Sequence, residues 1–112
     1  MKIGFQTSKY NGLTLKEELN FAIKQNVDFF DIFFDEWLPG EITTDEYKII
    51  NKLKMQNFPF TVHLPISTPK LPIEKLNSLL EFIREFSPIT TTVHFDKLTF
   101  ELLEYIIDKT KD

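Results

Sequence analysis

Apolar positions recur along this chain in two alternating rhythms. A short β-type run of period two leads into a turn-rich stretch, then into a run of period 3.6, and the cycle repeats four times. The first strand is predicted over Lys2 to Thr7. Its helix opens at Thr14, where Thr14-Leu15-Lys16-Glu17 reads as a capping box, buries Leu15, Leu19, Ala22 and Ile23, and stops near Asn26. The second strand spans Asp28 to Asp35. After a turn with Pro39 and Gly40, the box Thr43-Thr44-Asp45-Glu46 starts a helix that buries Ile50 and Leu53 and ends at Asn57 and Pro59. The third strand, Phe60 to Leu64, leads through a proline-rich loop into a helix with Ile73, Leu76, Leu80 and Ile83 on one side and Pro72 in its first turn. The fourth, Thr90 to Phe95, feeds a helix opened by Thr99 and carrying Leu103, Ile106 and Ile107.

Strands alternating with helices predict an α/β protein with a parallel sheet and right-handed crossovers. Two architectures satisfy this: half of a (β/α)8 barrel and a flavodoxin-like open parallel sheet. A sheet covered on both faces should be apolar on both. Here Ile3-Phe5-Thr7, Phe30-Ile32-Phe34, Phe60-Val62-Leu64 and Thr91-Val93-Phe95 make one largely apolar face. The other reads Gly4-Gln6-Ser8, Asp31-Phe33-Asp35, Thr61-His63 and Thr92-His94-Asp96. A polar face on all four strands suits a barrel interior near its mouth, so residues 1–112 are expected to form a single (βα)4 half-barrel domain. A closed barrel has eight strands and typically about 250 residues, which leaves this unit to be completed by a C-terminal half-barrel or by a homodimer.

Composition narrows the function classes. With 42 % hydrophobic and 27 % charged residues the chain can build a core, and a net charge of −4 without a basic cluster gives no footprint for nucleic acid. There is no cysteine, hence no thiolate nucleophile. Gly4, Gly12 and Gly40 are the only glycines and make no phosphate-cradling loop, so no nucleotide cofactor is expected. No run approaches the roughly 18 apolar residues of a membrane span, and Met1-Lys2-Ile3-Gly4-Phe5 enters a strand pattern directly; a cytoplasmic location and no membrane partner are the expectation.

His63 and His94, the two histidines, each end an apolar run, 31 residues apart (94 minus 63). That is about one strand-helix unit, on the order of 30 residues, so both should sit at equivalent strand ends and line one pocket. The bland alternative is two imidazoles hydrogen-bonded to neighbouring strands. Asp31 is a candidate for substrate contact or for orienting a histidine, against a buried acid satisfied by backbone. Asp35 at the mouth is a candidate metal ligand, and Asp96 a candidate catalytic carboxylate. Gln6 and Ser8 could bind a hydroxyl or phosphate, Phe33 would give the pocket an apolar wall, and Trp37 could stack on a sugar or cap the helix layer.

The ordered set of Lys2-Ile3-Gly4-Phe5, the helix from Thr14 to Ala22, the acidic strand Asp28 to Phe34, and histidines ending strands three and four resembles the N-terminal half of the xylose isomerase-like TIM barrel superfamily. The resemblance covers essentially the whole chain. It implies a sugar or sugar-phosphate isomerase or epimerase in which a divalent metal (Zn, Mn or Mg) polarises a carbonyl while carboxylates such as Asp31 and Asp96 move a proton, with His63 and His94 as ligands. Most of that superfamily's metal and acid-base residues come from strands five to eight, to which nothing here corresponds, so the unit is expected to be incomplete as a catalyst alone. Two further readings accompany it. One is a metal-dependent phosphodiester hydrolase of the endonuclease-IV-like branch, including cobamide-remodelling enzymes, whose strand-three phrase is similar to Thr61-Val62-His63-Leu64-Pro65. The other is a non-catalytic, self-associating half-barrel.

Overall fold

The structure, a computed structural model, describes residues 1–34, 38–94 and 96–111. Four parallel strands, β1 (Gly4–Gln6), β2 (Phe29–Phe33), β3 (Phe60–His63) and β4 (Thr91–Thr92), form one sheet in the order β1-β2-β3-β4. Helices α1 (Leu15–Lys24), α2 (Thr44–Met55), α3 (Ile73–Phe86) and α4 (Phe100–Thr110) follow them in turn. The α/β unit with a four-stranded parallel sheet therefore agrees with the predicted succession of βα units, although the strands are shorter than the period-two runs. A 3-10 turn follows each of the first three strands, at Lys9–Asn11, Pro39–Glu41 and Thr68–Lys70.

Each helix boundary has a local cause. Thr14 and Thr43 cap α1 and α2 in reciprocal capping boxes with Glu17 and Glu46, and Thr99 caps α4 by accepting from Leu102 N at 3.1 Å. Glu46 does more than close its own box. Its Oε1 accepts from Thr43 N at 2.9 Å while Oε2 accepts from Lys16 N at 2.7 Å, so one buried carboxylate satisfies donors at the starts of two adjacent helices. Asn26 and Asn57, just past α1 and α2, adopt φ of 57° and 56°, the left-handed region that asparagine tolerates and that turns the chain back toward the sheet. Pro72 occupies the N-cap of α3, one residue earlier than expected.

The core lies between the sheet and the helices. Phe30, Ile32, Phe34, Phe60, Val62 and Leu64 are buried there with Leu15, Leu19, Ile50, Leu53 and the inner side of α3. The predicted face of α3 needs correction: Ile73 is exposed, and the buried stripe is Leu76, Leu79, Leu80, Phe82, Ile83 and Phe86. Phe82 and Phe86 turn inward because aromatic partners receive them, Phe34 edge-on to Phe82 at 5.0 Å and Tyr47 stacked on Phe86 at 5.9 Å. Ile23 and Ile107, expected in the core, are also exposed, and so is Ile3, just before β1. Gly4 is required where it stands, since a Cβ there would lie 2.2 Å from the ring of Phe29, its register partner on β2.

A second buried acid fixes the β1–α1 connection. Glu18 falls in the apolar stripe of α1 and is fully buried, accepting from Ser8 N at 2.8 Å and Asn11 Nδ2 at 3.1 Å. Burial raises its carboxyl above the ordinary 4.5, an effect that these two hydrogen bonds oppose without cancelling. A raised folded-state value means that the native protein holds this proton more tightly than the unfolded chain. The associated stability is complete below about pH 4.5 and is lost as pH climbs through the raised value. Urea denaturation of the wild type and of Glu18→Gln at pH 4.5 and 7 checks this: the wild type should lose stability relative to the variant as pH rises, and a pH-independent difference would contradict the assignment.

Candidate functional site

The sheet register assembles the polar face row by row. Gln6 pairs with Asp31 and Asp31 with Thr61, and two residues further along the strands Phe33 pairs with His63 and His63 with Thr92. Because the alternation is shared by neighbouring strands in register, all of these side chains leave the sheet on the side opposite the helices. Within the first row Asp31 is the common acceptor. Gln6 Nε2 donates to its Oδ2 at 2.9 Å, and Thr61 Oγ1 donates to its Oδ1 at 2.6 Å.

From Asp31 the contacts climb the face diagonally. Moving one strand across and two residues up covers about 8 Å between Cα atoms, within reach of a carboxylate and an imidazole together. His63 Nδ1 lies 3.6 Å from Asp31 Oδ2, with side chains 21 % and 15 % exposed, and His63 Nε2 lies 2.8 Å from His94 Nε2. The two rings are 4.7 Å apart at 36°, and Phe33 tilts against the other side of His63 at 4.9 Å. A chain of groups thus runs from Gln6 and Thr61 through Asp31 to His63 and His94, drawing on all four strand segments.

The separation of 2.8 Å between two Nε2 atoms constrains the protons. One nitrogen must donate and the other accept. The ionised Asp31 favours a proton on His63 Nδ1, which makes Nε2 of a neutral His63 the acceptor and Nε2 of His94 the donor. If the pair gains one proton, His63 becomes an imidazolium that donates toward both Asp31 and His94, and the contact between the rings survives. The contact between the two rings is therefore compatible with a proton passing along it from His94 to His63. Among the described residues none engages Nδ1 of His94, which is the free end of the chain.

The remaining candidates separate clearly. Gln6, Asp31, Phe33, His63 and His94 are brought together. Ser8 is not: its hydroxyl accepts from Tyr10 N at 3.2 Å inside the 3-10 turn. Asp96 is exposed in a cleft of about 380 Å³ with Ile66, Ser67, Pro69, Lys70 and Lys97, beyond the end of β4. Asp35 and Trp37 lie outside the described residues. Thr61 was not singled out as a site residue, yet it shares a face with His63 two residues on and a row with Asp31; period two alone identifies that face, whereas the row needs the register.

A divalent ion, implied by the superfamily resemblance, finds part of a site. Tetrahedral coordination at about 2.0–2.1 Å holds two imidazole nitrogens roughly 3.3 Å apart, slightly farther than His63 and His94 stand. Asp31 already serves Gln6 and Thr61, and among the described residues no group of three or more His, Asp or Glu side chains converges on one point. These residues alone do not make a complete coordination shell, and no step below is routed through a metal. Among the described residues no helix is long and apolar enough to cross a membrane. Comparison with protein-family models, with curated proteins and with solved structures found no match.

The ring protonation can be read directly. Nitrogen-15 spectra of the imidazoles should show a neutral His63 as the Nδ1–H tautomer, and Asp31→Asn should turn it toward a mixture of both tautomers. An Nε2–H tautomer for His63 in the wild type would contradict the proton order derived above.

Proposed function

We propose that the chain is the N-terminal half of a xylose isomerase-like (β/α)8 barrel, acting on sugars or sugar phosphates, and that its polar sheet face is one wall of the ligand pocket. The observation that carries this is the chain from Asp31 through His63 to His94 at the C-terminal ends of parallel strands, where such folds place their chemistry. Two features favour a half-barrel over an open flavodoxin-like sheet. Strands follow one another without a switch in order, and with right-handed crossovers this keeps every helix on one side. The opposite face carries Gln6, Asp31, Thr61, His63 and His94, a poor surface for a second helix layer.

On this reading His94 Nδ1 is the atom that meets the substrate. Isomerisation of an aldose to a ketose, or epimerisation next to a carbonyl, requires a proton to leave one carbon and a proton to be returned to the same or a neighbouring one. His94 Nδ1 takes the proton, the proton on its Nε2 passes to His63 Nε2, and Asp31 stabilises the resulting imidazolium. The reverse order returns a proton. Asp31 acts as a positioning residue through His63, and Phe33 keeps water from one side of that ring. When bound, a divalent ion would polarise the carbonyl, with further ligands supplied from outside the described residues.

Exchange of the hydrogen next to the carbonyl tests the reading without requiring full turnover. Proton NMR of aldose and ketose phosphates in D2O should show exchange catalysed by the protein and lowered about 10²–10⁴-fold by His94→Gln, the usual worth of a positioned base. Exchange that is equal in wild type and variant, or absent from both, would overturn it.

A further inference from the structure

The two chain segments that carry the histidines run on into the two walls of one cleft. Ile66, Ser67, Pro69 and Lys70 follow His63 on the connection to α3, Asp96 and Lys97 follow His94 on the connection to α4, and together they line a volume of about 380 Å³. The cleft therefore lies at the end of the sheet where parallel α/β folds place their ligands. Ile66 and Lys97 each stand three residues beyond their histidine. Their Cα atoms are thus at most about 11 Å from those of His63 and His94, a span that a five- or six-carbon sugar phosphate bridges.

Both walls are set by local structure. On one side Thr68 is buried and its hydroxyl donates to Pro65 O, while Lys70 N donates to Ser67 O at 2.8 Å, closing the 3-10 turn Thr68–Lys70 around Pro69. On the other side Lys97 adopts φ of 59°, the left-handed region. A side chain with a Cβ occupies that region at a cost, and such conformations persist where their surroundings determine them, often at ligand contacts.

The chemistry of the cleft is cationic. Lys70 and Lys97 are exposed and make no ion pair among the described residues, and neither does Asp96. Two lysines against one carboxylate give the cleft a net positive charge within a chain of net charge −4. The Ser67 hydroxyl, which makes no cap to its turn, adds an uncharged donor. A phosphate monoester carries about −1.5 to −2 charges at pH 7 and offers three strong acceptor oxygens, which suits two ammonium groups and a hydroxyl. A neutral sugar would make no use of either charge.

We propose that this cleft holds the phosphate of a sugar phosphate whose carbonyl end reaches His94, so that phosphate esters rather than free sugars are the substrates. This rests on the functional reading above and sharpens it. Asp96 limits the anion: it offsets one lysine, so the cleft takes one phosphate and disfavours two.

Nitrogen-15 NMR titrations of the full chain with inorganic phosphate, ribose and ribose 5-phosphate test the site. Inorganic phosphate should shift the backbone signals of Ser67, Lys70 and Lys97 saturably. Ribose 5-phosphate should move these and the ring of His94, and ribose should move neither. Lys70→Gln and Lys97→Gln should each weaken phosphate binding about tenfold, the worth of one hydrogen bond to a charged group. Asp96→Asn should tighten it, and Lys75→Gln, which removes an exposed lysine of α3, should leave it unchanged. Equal weakening by Lys75→Gln, weakening by Asp96→Asn, or equal responses to ribose and its phosphate would overturn the site. Hydrogen exchange equally fast on ribose and ribose 5-phosphate would discard the subsite and keep the functional reading. Saturable phosphate binding with the expected pattern of variants but no exchange would do the reverse.

Discussion

The carboxylate of Asp31 is the point on which the polar face depends. It stands on the second strand, flanked in register by Gln6 on the first and Thr61 on the third, and accepts a hydrogen bond from each. Both oxygens are thereby engaged, which lets a charge 15 % exposed remain on a sheet without costly desolvation. Oδ2, which also receives the Gln6 bond, faces His63. Without that carboxylate, Gln6 and Thr61 would be two separately solvated side chains and His63 would lose the charge 3.6 Å from its Nδ1. With it, they become a fixed base for the contact between His63 and His94.

The helix side of the sheet obeys the same geometry with the opposite polarity. Alternate residues of β2 and β3 bury Phe30, Ile32, Phe60 and Val62 against α1, α2 and α3, so each residue of register that places a polar group on one face places an apolar one on the other. A slip of one residue would put Asp31 and His63 into the core and Phe30 and Phe60 into water. Burial of the apolar side therefore enforces the alignment of the polar side. Buried Glu46 and Glu18 extend this ordering to the loops, the first joining the starts of α1 and α2 and the second holding the connection that leaves β1.

Much of this was legible in the chain. The capping boxes at Thr14 and Thr43, the asparagines after α1 and α2, and the two-period runs mark the elements because each signal is local. The meeting of Asp31, His63 and His94 was foreshadowed by their shared face, but the diagonal that joins them depends on strand register, which no local pattern encodes. Glu18 carried a readable signal: it falls among Leu15, Leu19 and Ala22 on the buried stripe of its helix. Ile23, Ile73 and Ile107 were misplaced for one reason. An apolar residue on a helix predicts burial only where a neighbour exists to bury it, and Ile23, Ile73 and Ile107 each stay 43–52 % exposed among the described residues.

The contact between His63 and His94 is the most direct point of test. In uniformly nitrogen-15-labelled protein, a hydrogen bond between two imidazole nitrogens transmits a scalar coupling from one Nε2 to the other. The account predicts a resolved coupling between those two atoms, retained in Phe33→Leu, which leaves both nitrogens and Asp31 in place. Two uncoupled rings, each exchanging its proton independently with water, would contradict it.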